Sequence, residues 1–144
     1  MKTKAELIRE AQKLRQPSEA AKAEFSDKKS RMIEKLNNLL LSTHGFEQAV
    51  PAERIEMLKD NHYNQFRFME SIYNNFNAEV FVNIIAWAFS VYRNHNFDLL
   101  YWDYLFPAVQ QVYKEELSQT AFRELAPFYQ WMADHKDDFI RISG

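Results

Sequence analysis

Between Ala78 and Tyr92 the chain reads Ala-Glu-Val-Phe-Val-Asn-Ile-Ile-Ala-Trp-Ala-Phe-Ser-Val-Tyr, and only Glu79, Asn83 and Ser90 are clearly polar. At about 100° per residue these three fall on one narrow strip of a helix, with Ala86 between them. A helix apolar over most of its circumference needs neighbours on several sides. The pattern therefore predicts a buried central helix over residues 78–93 of an all-α domain. The run is shorter than the roughly 20 apolar residues that a membrane span requires.

The flanking segments carry narrower stripes. Leu7, Ile8, Ala11 and Leu14 mark a charged, weakly helical start over residues 1–16, set off by Pro17. Ser18 is placed to cap a second helix running to about Ser42, with Phe25, Met32, Ile33, Leu36, Leu39 and Leu40 on its inner face. Gly45 is positioned as its left-handed stop, with Phe46 folding back. From Pro51 a third helix extends to about Asn75 through Ile55, Leu58, His62, Met69, Ile72 and Tyr73. After the central helix, Asp98 can cap a segment rich in aromatic residues, Leu99 to Phe106, where Pro107 predicts a kink or a restart. The last predicted helix begins near Ser118, carries Phe122, Leu125, Tyr129, Met132 and Phe139 on one side, and bends at Pro127. That makes about six helices in a single domain.

Composition narrows the chemistry. There is no cysteine, so thiolate metal sites and cysteine nucleophiles are excluded, and a reducing cytoplasm is the expected home. The first residues are charged with no apolar run behind them, unlike a secretion signal. With Gly45 and Gly144 as the only glycines, neither a P-loop nor a dinucleotide fingerprint can be written. The net charge of −2 conceals a basic front: residues 1–43 hold ten Lys and Arg against six Asp and Glu, and the remainder is acidic. An acidic body with no basic stripe predicts no nucleic-acid partner.

A catalytic constellation is missing. No histidine follows a glutamate by three positions, and neither His-x-x-x-His nor His-Glu-x-x-His occurs, so bundle di-metal and zinc-hydrolase sites have no starting point. The doublets Glu115-Glu116 and Asp137-Asp138 point about 100° apart on a helix and read as solvated faces rather than acid–base pairs. Asp134, His135 and Asp138 could share a turn. Two histidines stand out: His62 on a buried stripe, and His95 at the exit of the central helix, in phase with Phe81, Ile84, Ala88 and Tyr92. The sequence thus predicts a protein that is not an enzyme.

The apolar central helix running into Val91-Tyr92-Arg93-Asn94-His95-Asn96-Phe97, followed by Tyr101-Trp102-Asp103-Tyr104, resembles the globin-like sensor domains of bacteria. The closing stretches Glu115-Glu116-Leu117-Ser118 and Pro127-Phe128-Tyr129-Gln130-Trp131-Met132 resemble more particularly the amino-terminal domain of stressosome scaffold proteins. That resemblance implies a globin-like regulatory domain, often haem-free, which dimerises through its last helices and relays a signal to a STAS-type output domain in a stress-sensing complex. It also implies an alternative, a haem-based gas or redox sensor with His95 as axial ligand and His62 as distal partner. Large side chains such as Phe81, Trp87 and Phe89 are expected to fill the porphyrin space, which favours the haem-free form.

Overall fold

The computed structural model describes residues 1–144 and is helical throughout. In order come α1 (Lys4–Ala11), α2 (Glu19–Leu41), short 3-10 turns at Phe46–Gln48 and Ala52–Arg54, α3 (Ile55–Asn74), α4 (Ala78–Asn94), α5 (Leu100–Glu116), α6 (Gln119–Asp134) and α7 (Lys136–Ser143). Forty buried apolar residues form one continuous core. Helix α2 packs against α3, α5 and α6, while α4 lies against the two terminal helices α1 and α7. No helix is long and apolar enough to cross a membrane.

Several termini follow from local chemistry. Gly45 sits at φ 90°, where a side chain would be strained, and an added Cβ would come within 2.7 Å of the Tyr104 hydroxyl. Helix α4 stops in a Schellman turn. Asn96 takes the left-handed conformation at φ 67°, the Phe97 amide donates to the Tyr92 carbonyl at 3.0 Å, and the Asn96 amide donates to Arg93 at 3.1 Å. The Tyr92 and Phe97 rings meet at 5.1 Å, the hydrophobic contact that accompanies this motif.

Three expectations are corrected. The predicted final helix breaks at His135, so there are seven α-helices rather than about six. The restart left open at Pro107 does not occur, since α5 runs through it, as α6 runs through Pro127. Both prolines are exposed, as are Asp103 and Arg123 one turn earlier, so the carbonyls deprived of a donor lie on the solvent side. Finally, α4 is not a wholly buried centre. Phe81, Val82, Ile85, Phe89 and Tyr92 are buried, but Val80, Ile84 and Trp87 stand 47%, 37% and 63% exposed. The most enclosed helices are α5 and α6.

Helices α2 and α6 cap each other. Ser18 and Ser118 are their N-caps, and each hydroxyl accepts the amide three residues on, from Ala21 and Ala121, at 3.2 Å. The Ser18 amide and hydroxyl donate to Glu124 of α6 at 2.6 and 2.9 Å, and the Ser118 amide and hydroxyl donate to Glu24 of α2 at 2.6 and 2.7 Å. Each glutamate lies six residues beyond its own helix's serine, so the pair of crossings has approximate two-fold symmetry. Burial works against the Glu24 charge, yet the Ser118 amide and hydroxyl and the Lys28 ammonium outweigh it and hold its carboxyl below the usual range. Replacing Glu24 by alanine leaves the Ser118 donors without this acceptor and is expected to cost about 1–3 kcal/mol in urea unfolding at unchanged m-value. Because the folded-state value is depressed, this contribution is present above pH 4.5 and fades as pH falls through the folded value.

Candidate functional site

His62 is turned inward because it shares a stripe of α3 with Leu58, Phe66, Met69 and Tyr73, all buried. It is fully enclosed, at the junction of α2, α3 and α5. Its Nδ1 lies 2.6 Å from the Asn37 side-chain oxygen, and its Nε2 lies 2.8 Å from the Tyr101 hydroxyl. The Asn37 oxygen can only accept, which sets the tautomer: Nδ1–H donates to Asn37, and Nε2 accepts the Tyr101 proton. Desolvation pushes the imidazole down from 6.5 to about 3, so the ring is neutral at ordinary pH.

Nearby, the Tyr129 hydroxyl donates to Gln65 Oε1 at 2.8 Å. Burial pushes the phenols of Tyr92, Tyr101 and Tyr129 well up, keeping each protonated. The Tyr101 hydroxyl donates to His62, and the His62 Nδ1–H donates in turn to Asn37, so both imidazole nitrogens are answered.

A cleft lies between α3 and α4. Near their connection at Asn75–Asn77, Phe68 and Phe76 each pack on Phe81, with ring separations of 6.4 and 5.7 Å. Between the two helices lies a half-open cavity of about 140 Å³, walled by Phe68, Met69, Ile85, Trp87, Trp102 and Phe106. Gln65, Tyr92 and Tyr129 also line it, with Asn61 and Asn64, and no lining residue carries a charge.

The two histidines singled out in the sequence are not brought together at this cleft. Neither lines it. His62 has both nitrogens engaged elsewhere, and His95 is the half-buried C-cap of α4, where its amide donates to Val91 and Tyr92. A cavity of 140 Å³ is also smaller than the roughly 300–1,000 Å³ of ordinary ligand pockets. The residues present therefore do not fit a haem held by His95 and His62. Of the acidic doublets, Glu115 and Asp137 are exposed as expected, but Asp138 is buried and Glu116 is covered by basic partners, so neither doublet is simply a solvated face. Glu116 meets Arg31 and Lys35 at 2.8 Å, Glu115 meets Lys35 at 3.1 Å, and Asp138 accepts the Lys2 amide at 2.9 Å. The basic face of α2 is thus largely answered within the chain. No group of three or more His, Asp or Glu residues is placed to hold a metal ion.

Asn37, Tyr101 and the cleft were not identified from the sequence. Asn37 carried a signal: it interrupts the apolar stripe of Ile33 and Leu40 at a position whose helical phase is inward. Comparison with protein-family models, curated proteins and solved structures gives no match.

Two outcomes are expected. Unfolding stability should fall by about 2 kcal/mol between pH 7.5 and 5, because the unfolded chain takes up the His62 proton first; the contribution is full above pH 6.5 and is lost toward pH 3. In His62→Gln, measured by urea melts across the same range, that slope should vanish. Titration with haem should give no saturable Soret band, and His95→Ala should leave the spectra unchanged.

Proposed function

We propose that this chain is a non-catalytic signal-input domain that pairs with a second copy of itself and relays a conformational bias to a STAS-type output domain. The observation that carries the pairing is the outer face of α4. Val80, Ile84, Trp87 and Val91 recur at intervals of four, three and four residues, the spacing of a helix-packing seam. The first three are among the most exposed large apolar residues of the chain. A seam of that kind suits another helix, and a two-fold axis beside α4 would bury it twice with one set of residues.

This locates the pairing differently from the last helices. The exposed positions of α6 and α7 are Gln119, Thr120, Arg123, Pro127, Gln130, Asp134, Asp137 and Arg141, which offer little apolar surface. The opposite side of α4 supports the relay. Phe89 stacks on Phe139 of α7 at 5.6 Å, and the Arg93 guanidinium donates to the Ile140 carbonyl at 3.2 Å. A shift of α4 against a partner would therefore displace α7. The STAS-type output rests on the resemblance carried by residues 115–118 and 127–132.

Sedimentation equilibrium at tens of micromolar is expected to give a dimer. Trp87→Asp should raise the dimer dissociation constant by about thirtyfold or more, as for loss of a central aromatic anchor, with the far-ultraviolet spectrum unchanged. A monomeric wild-type chain at that concentration would sink the pairing.

A further inference from the structure

The α3–α4 cleft combines three properties that together specify a ligand. Its volume, about 140 Å³, is that of a single aromatic ring, close to the roughly 150 Å³ of an apolar cavity able to hold benzene. Its walls are aromatic rings and thioethers: Trp87, Trp102, Phe106 and Phe68, with Met69 and Met132. Flat rings take edge-to-face and offset contacts with such walls, and sulfur adds favourable contacts at the ring edge. With no charged lining residue, an ionised ligand would lose its hydration with nothing in return.

The polar end of the cleft is equally specific. The Tyr129 proton is committed to Gln65 Oε1, which leaves the Tyr129 oxygen able to accept. The Gln65 side-chain nitrogen has two protons to donate. An acceptor and a donor therefore converge where Tyr129 and Gln65 line the cavity. One group fills both needs, a hydroxyl, which donates to Tyr129 and accepts from Gln65.

We propose that the α3–α4 cleft is a binding site for a small uncharged aromatic alcohol of phenol size, its ring between Trp87, Trp102 and Phe106 and its hydroxyl on Gln65 and Tyr129. Such a ligand touches α3, α4, α5 and α6 at once. Its hydroxyl would sit on the Tyr129–Gln65 pair beside Tyr92 of α4, so occupancy bears on the rotation of α4 against the core. This deepens the signal-input reading by giving it an input.

The probe is phenol itself, titrated into the full chain and followed by tryptophan fluorescence and amide NMR shifts, with benzene and benzoate as comparisons. Phenol is expected to bind saturably, with NMR shifts centred on α3 and α4. Benzene should bind about tenfold more weakly for want of the hydroxyl, and benzoate should not bind. Gln65→Leu should abolish the preference for phenol over benzene. Ala88→Phe, which fills the cavity, and Asn64→Trp, which narrows its exposed rim from α3, should each weaken phenol at least tenfold with the fold retained. A phenol titration that never saturates, equal binding of benzene, or affinity unchanged in both filling variants would overturn the site. Sedimentation on the same samples separates the two readings: a dimer that ignores phenol removes the ligand alone, and a monomer that binds phenol removes the pairing alone.

Discussion

A histidine sealed where three helices meet must be neutral, and both of its nitrogens must be answered. His62 meets those conditions with Asn37 on α2 and Tyr101 on α5, so a single side chain fixes the azimuth of α3 against two neighbours. Rotation of α3 by one residue would leave three buried polar groups without partners, each costing about 1–3 kcal/mol. Much of the remaining architecture depends on this fixed azimuth. It turns Phe66 and Tyr73 into the aromatic cluster with Phe25 and Tyr113 on one side, and it aims Gln65 and Phe68 at α4 on the other.

A second constraint acts at the opposite end of α2. The exchange of glutamates between the Ser18 and Ser118 caps ties the starts of two helices a hundred residues apart in sequence. Helix α2 is thereby held at its start by α6, at its middle by Lys28, Arg31 and Lys35 reaching the carboxyl end of α5, and near its end by Asn37 on His62. The excess of positive charge at the front of the sequence has this intramolecular use. The α5 terminus gains both from its direct partners and from cations set against the negative end of its dipole.

The helical periodicity was legible because it depends on local spacing, and so were the Ser18 cap, the left-handed Gly45 and the exit of α4 at Asn94–Asn96; α2 itself stops earlier, at Leu41 with Ser42 as its C-cap. What was not legible depended on partners distant in sequence. Glu24 and Glu124 lie too far from their own helix starts to read as capping residues, and each acts on the other helix. A restart at Pro107 stayed open because sequence alone does not say which side of a helix meets water. His62 was readable as an inward histidine, but its partners Asn37 and Tyr101 come from α2 and α5. The cleft was illegible for the same reason, since an empty space is a property of how two helices diverge and not of either one.

Helix α4 shows how an apolar pattern can mislead about burial and still carry information. Its polar strip was expected to be the one side facing water. Asn83 is instead half-buried, with a side-chain oxygen enclosed and unpaired, and Ser90 and Arg93 are half-buried too. The side left open is apolar, at Val80, Ile84 and Trp87. A helix that needed only to complete this core would be more stable the other way round, with asparagine in water and tryptophan inside. Keeping Trp87 outside forgoes roughly 2 kcal/mol of burial. Residues that forgo stability in one chain make physical sense where something else completes their surroundings, and on α4 the cleft and the seam share Ile84, Trp87 and Val91. A molecule in the cleft and a partner on the seam would therefore meet the same three side chains, which couples the two events without any longer path through the fold.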